Sequence, residues 1–230
     1  MGRLTGLSGV RSALAPLAAV FAPGAVFRRE AVRPRPLASA AGVLALTLAS
    51  AWSLGPFLRD ATRAAGLDPA AGLVRTGIAI KLGVLTPADA ALFLLVLAGL
   101  LWTVSVVSGG IDTDFATCVV IASVASITEV LRRGFALLVL WLRASRMGGA
   151  QGSYEVYTGL DLFFEPFRSG PPLLVSLSRH LGLFEVWLVI LLGIGLVETR
   201  RMSARAAALT ASLAYGLVLL LLVGGDLLAT

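Results

Sequence analysis

Apolar runs long enough to cross a lipid bilayer alternate along this chain with short charged segments. From Leu37 to Leu58 the sequence LASAAGVLALTLASAWSLGPFL contains no charged residue, and runs of the same character recur near residues 90, 120, 190 and 215. Hydrocarbon about 30 Å thick takes roughly 20 residues of helix at about 1.5 Å each. The pattern therefore predicts an all-α membrane protein: a bundle of five transmembrane helices with interfacial amphipathic helices. The spans are expected at about 37–58, 90–108, 114–142, 182–198 and 205–227, in one membrane domain over residues 37–228 that follows a basic amino-terminal segment, 1–36.

The segments between the spans carry their own expectations. Residues 1–36 hold six arginines around LAPLAAVFAPGAVF, which Pro16 and Pro23 interrupt. Two prolines, a following arginine cluster and no clean small-residue cleavage site disfavour a signal peptide. An interfacial helix, with Phe21, Val26 and Phe27 at the headgroup boundary, is expected over a flexible basic tail. In the mixed stretch Arg59 to Asp89, Leu73, Gly77, Ile80 and Val84 share one side at helical spacing and predict a second interfacial helix. Asp112 and Asp114 suit the start of the third span, where carboxylates cap free amides. That span is too long for the hydrocarbon, so a bend at Gly134 is expected to lay Phe135–Leu142 on or just above the membrane surface, the open alternative being that the third helix continues through them. Glu129 precedes Arg133 by the spacing of a helical ion pair. Tyr154, Tyr157, Phe163, Phe164 and Phe167 in the longest connection suggest an interfacial aromatic belt.

Composition sharpens the picture. Hydrophobic residues make up 57% of the chain and charged residues 14%, against about 45–50% and about 25% in soluble domains. The net charge of +6 is almost all arginine, with Lys81 the only lysine; contact with anionic lipid headgroups is one consequence. Cys118 is the single cysteine, which excludes an intrachain disulfide, and the absence of asparagine excludes N-glycosylation. Arg28, Arg29, Arg33 and Arg35 flank the first span, and Arg200, Arg201 and Arg205 flank the last two. Arginine bias places both clusters in the cytoplasm. Five crossings then leave the amino terminus cytoplasmic and the carboxyl terminus outside.

Two stretches resemble bacterial Yip-domain membrane proteins. PGAVFRREAVRPRPLASAAGVL at 23–44 is similar to the entry into that family's first helix. LGLFEVWLVILLGIGLVETRRMSARAAALTASLAYGLVLLLL at 181–222 resembles its fourth and fifth helices, with Leu183, Phe184 and Trp187 at the mouth, Gly193 and Gly195, and a basic turn into an alanine-rich last helix. Glu185 departs from the pattern, which has a small polar residue there. The resemblance implies a five-helix membrane domain. Eukaryotic relatives bind prenylated small GTPases through a longer cytosolic amino-terminal region, and with only about 36 residues before the first span that activity is not carried over.

Candidate chemistry is sparse. His180 is the only histidine, and no HExxH or CxxC spacing offers a metal site. Gly6-Leu7-Ser8-Gly9 matches a short intramembrane-protease motif, but the predicted topology puts Ser8 and His180 on opposite faces, out of hydrogen-bond reach. GIGLVE in the fourth span lacks the third glycine and preceding strand of a phosphate loop. No catalytic, cofactor or metal-binding residue is therefore assigned, and no nucleic-acid partner. Small residues recur every fourth position at Ala41, Ala45, Ala49 and Ser53, at Cys118, Ala122 and Ser126, and at Ala208, Ser212 and Gly216. Such ridges let helices approach closely in lipid, though an alanine-rich chain also produces them by chance. The candidates for interaction or a solute pathway are Glu129, Arg132, Arg133, Glu185, Trp187, Arg200 and Arg201. A contact between Glu185 and an arginine is expected near the outer interface, and Asp226 and Glu198 are read as helix-end residues in water.

These features point to a noncatalytic integral membrane protein, an accessory or organising subunit of a bacterial membrane assembly, with lipid and a protein partner or a second copy as its contacts. The alternative is a small-solute transporter or channel using Glu129, Arg132, Arg133 and Glu185, which discontinuous helices or central polar residues would favour. An intramembrane enzyme acting on lipid has the least support.

Overall fold

In the computed structural model, residues 13–32, 34–64, 66–68, 71–108, 114–147, 158–159, 170–200 and 202–229 are described, and among them all regular structure is helical. Arg201, Ser8 and the aromatic cluster between Tyr154 and Phe167 lie outside the described residues. The helices are α1 (Ala15–Ala19), α2 (Pro23–Val32), α3 (Pro36–Ser53), α4 (Gly55–Ala64), α5 (Gly72–Ile80), α6 (Thr86–Val107), α7 (Phe115–Ala125), α8 (Ile127–Met147), α9 (Pro172–Arg179), α10 (Leu183–Arg200) and α11 (Ala204–Ala229), with a π-helical turn at Lys81–Leu85 joining α5 to α6.

Among the described residues, four helical stretches are long and apolar enough to cross a membrane: Pro36–Asp60, Gly72–Val107, Phe115–Leu142 and Ala204–Leu228. Leu183–Arg200 meets that test only together with Pro172–Arg179, from which it is bent by 55°. The reason is local, since Glu185, Glu198 and Arg200 all fall within α10.

The centre of the bundle is α7, buried at every residue from Cys118 to Ala125. It packs against α3, α6 and α10, while α11 closes the far side on α6 and α10. The serines of the α7 segment sit in this core because their hydroxyls return hydrogen bonds to their own helix. Ser123 Oγ donates to the Val119 carbonyl at 2.6 Å and Ser126 Oγ to the Ala122 carbonyl at 2.7 Å.

Four local expectations change. The amino-terminal helices do not simply float at the interface, for α1 packs on α3 and α7, and α2 lies along α10. Phe21 is exposed, but Phe27 is fully buried. Gly195 makes the space: a Cβ there would stand 3.1 Å from Phe27 Cε1 and 2.7 Å from Ile121 Cγ2. Gly42 likewise lets α3 approach the Ala13 carbonyl, which any side chain at that position would overlap.

The third span does not turn at Gly134, for α8 continues through Phe135–Leu142 to Met147. Its interruption lies at Ser126, with ψ of −3°, where the hydroxyl competes for the carbonyl one turn back. The amphipathic stretch after Asp68 is not a separate helix, for Gly72–Val107 forms 36 continuous helical residues through the π turn.

The ridge Ala41, Ala45, Ala49 and Ser53 faces outward, as do Ala208 and Ser212. The packed face of α3 is Ser39, Gly42, Val43, Thr47 and Ala51. On α11 it is Ala207, Ala211, Ala214 and Val218. Cys118, Ala122 and Ser126 are buried in the core.

Candidate functional site

The break at Ser126 starts α8 with its first turns facing the interior. Glu129, Arg132 and Arg133 emerge there as one connected group. Arg132 forks onto the Glu129 carboxylate, Nε donating to Oε2 at 2.9 Å and Nη2 to Oε1 at 2.7 Å, while Arg133 Nε donates to Oε1 at 3.3 Å. Two parallel bonds between planar groups make the Arg132 pair the stronger of the two.

The first turn of α10 brings Glu185 to the same group, Oε1 lying 3.9 Å from Arg132 Nε. Its other oxygen, Oε2, is buried without a hydrogen-bond partner. The bend before α10 sets this position. Gly182 packs so closely on Gly159 and Thr158 that a Cβ would fall 2.8 Å from the Gly159 Cα, 3.0 Å from the Thr158 carbonyl and 2.9 Å from Glu185 Oε2.

α9 is tied to the end of α11 by a second polar group. The Asp226 carboxylate oxygen Oδ2 accepts from Ser176 Oγ at 2.6 Å and lies 3.1 Å from His180 Nε2, and Tyr215 Oη donates to the His180 carbonyl at 2.9 Å. Asp226 is thus a connector between helices rather than a free helix-end residue, and His180 has a defined place in the bundle. Ser176 and His180 both address the same carboxylate oxygen, so the order of contacts is not that of a serine nucleophile activated by histidine.

Between these groups lies a cavity of about 200 Å³, room for several waters at about 30 Å³ each. Its polar wall includes Asp89, Glu129, Arg132, Arg133, His180 and Glu185, with Thr47, Ser126 and Thr128 deeper in; Phe93, Phe184 and Leu188 supply apolar surface. The structure brings Glu129, Arg132, Arg133 and Glu185 to one place. Trp187 is on an exposed face of α10, and Arg200 is at the opposite end of the bundle, where Nη2 donates to the Asp114 carbonyl at 2.8 Å. Glu198 also lies at that end, paired with Arg28 at 2.9 Å.

Asp89, His180 and Tyr215 line the cavity although nothing in the sequence placed them there, and Asp226 reaches it only through His180. The usable signal was a lone carboxylate near the end of an otherwise apolar last helix. Among the described residues no three His, Cys, Asp or Glu side chains gather as a metal site would require. Comparison with protein-family models, curated proteins and solved structures finds no match to this chain.

Proposed function

We propose that this is a multi-pass membrane protein that binds a small zwitterionic solute in the charged cavity, as a carrier or channel does. The observation that carries the proposal is the convergence of Glu129, Arg132, Arg133 and Glu185 on one cavity beside the 55° bend between α9 and α10. Interrupted helices and ionisable groups turned to the bundle interior are the features from which solute sites in membranes are built. Glu185, whose side chain lines the cavity, suits a solute ammonium. Arg133, which contributes only Nε to the ion-pair cluster, suits a solute carboxylate. No catalytic role is assigned to either group.

In this proposal α10 is the fifth crossing, the two basic clusters face the cytoplasm, the carboxyl terminus lies outside, and the membrane is a bacterial inner membrane. Arginine bias supports that orientation. Membership of the Yip family is proposed on the residues of 23–44 and 181–222 alone.

The test is uptake of a panel of labelled amino acids into proteoliposomes. Saturable uptake is expected, reduced at least tenfold by Glu185→Gln while the unfolding temperature in detergent stays unchanged. Absence of uptake above protein-free vesicles, together with no shift in unfolding temperature by any member of the panel, would remove the solute reading.

An accessory role in a membrane assembly is the second proposal. It is favoured by the gathering of Arg28, Arg29, Arg200 and Arg205 around one end of the bundle, where two contacts, Arg28 to Glu198 and Arg200 to Asp114, tie the clusters' elements together. Crosslinking in the native membrane followed by mass spectrometry tests it, with a stoichiometric partner as the expected result.

A further inference from the structure

A second cavity, of about 470 Å³, opens where the end of α3 meets α4 and the α5–π segment. Its walls carry three guanidinium groups, Arg59, Arg63 and Arg75, and one carboxylate, Asp68, while Ile78, Leu82 and Trp52 supply apolar surface. Arg63 is held by Asp60 at 3.1 Å. Among the described residues neither Arg59 nor Arg75 has an ion-pair partner. Two uncommitted arginines thus stand over an apolar floor.

The depth of the cavity in the membrane follows from the tryptophans. Trp52 packs against Gly83, whose Cβ position is 3.9 Å from Trp52 Cζ2, and Trp102 stacks edge-on to Phe115 near the opposite end of the same long helix. Gly83 and Trp102 are about 28 Å apart along that helix at 1.5 Å per residue, close to the thickness of hydrocarbon, about 30 Å. Tryptophans favour the two interfaces of a bilayer. With the Trp52 and Trp102 levels at those interfaces, Arg75 starts about 12 Å above the Gly83 level, from which a guanidinium reaches back to phosphate. The floor is closed where Leu82, buried by the widened π turn, packs against Gly55. Below it, the exposed side chains of Val84 and Leu85 face outward beside the cleft.

We propose that this cleft binds an acidic phospholipid, its phosphate held by Arg59 and Arg75 and its acyl chains descending past Trp52. The shared chemistry is phosphate. A membrane lipid is favoured over a free anion because the arginines stand over apolar surface at the interface level.

The full chain is purified in neutral detergent, and its thermal unfolding is followed with added phosphatidylglycerol, phosphatidylcholine or inorganic phosphate. Phosphatidylglycerol is expected to raise the unfolding temperature by several degrees over phosphatidylcholine, and inorganic phosphate to leave it unchanged. The double substitution Arg59→Gln with Arg75→Gln is expected to abolish the difference between the two lipids. Equal effects of the two lipids, or an undiminished difference in the double variant, would overturn the proposal. An equal effect of inorganic phosphate would overturn the lipid assignment in favour of a soluble anion.

A readout that does not depend on folding of the arginine variant uses lipids brominated on their chains. Brominated phosphatidylglycerol should quench tryptophan emission more than brominated phosphatidylcholine, and Trp52→Phe should remove that excess. An excess that persists in Trp52→Phe places the acidic lipid elsewhere and counts against this cleft.

Discussion

At Gly195 the absence of a side chain decides how closely α2, α7 and α10 approach. A Cβ there would lie 2.7 Å from Ile121 Cγ2, whereas at Gly193 it would meet no heavy atom within 4 Å. Gly195→Leu should therefore destabilise the protein by about 1–3 kcal/mol through overpacking. Gly193→Ala should leave the unfolding midpoint in detergent unchanged or raise it, because alanine favours helix. Equal effects at the two positions would contradict this account of the α2–α10 contact. The charged cluster gives a second residue-scale expectation. A double-mutant cycle with Glu129→Gln and Arg132→Gln should show a coupling of about 1–3 kcal/mol, the range for hydrogen bonds to charged groups and for residues in one network. A cycle that sums to zero would mean that the fork contributes nothing. The ionisable candidates Glu129, Arg132, Arg133 and Glu185 were legible in the sequence because charge stands out in apolar helices. Asp226 was not, since a carboxylate near a chain end reads as solvated until Ser176 and His180 are brought to it from about fifty residues away.

Among the elements, α3 shows what periodicity can and cannot say. Its apolar length marks a span, but every side of it is alanine-rich, so the small-residue pattern fits more than one packing face. Gly42 is in the contact and Ala45 is outside it. Gly42→Leu should lower the detergent unfolding temperature markedly, because it collides with the backbone at Ala13, while Ala45→Leu should not. The reverse ranking would place the packing face on the alanine ridge instead. The interruption at Ser126 was equally hidden. Serine inside an apolar run is compatible with an unbroken helix, and only the local backbone shows that the ladder slips there and resumes with Glu129 N donating to the Ser126 carbonyl at 3.1 Å. Gly134, the apparent weak point, is helical because nothing in its surroundings requires a bend.

Across the whole molecule, two contacts tie residues distant in sequence to one end of the bundle: Arg28 with Glu198, and Arg200 with the Asp114 carbonyl. In a Cys118→Ala background, cysteines at Phe21 and Ser203 should react with a membrane-impermeant maleimide from the same face, and one at Thr62 from the opposite face. Labelling of positions 21 and 62 from one side would mean that α3 does not cross. The sequence by itself determined the helical class, the approximate places of the long apolar helices and the arginine asymmetry between their ends. Each of these depends on how far an apolar run extends and on the need of its backbone to bond within itself in lipid. Only the tertiary structure decided that α1 and α2 enter the bundle, which face of each helix is in contact, and that four charges from α8 and α10 share a cavity. Lipid tails and neighbouring helices are equally apolar, so hydrophobicity cannot choose between them. The choice rests on the fit of small residues, such as glycine against a backbone or a ring, and that fit exists only once the helices are side by side.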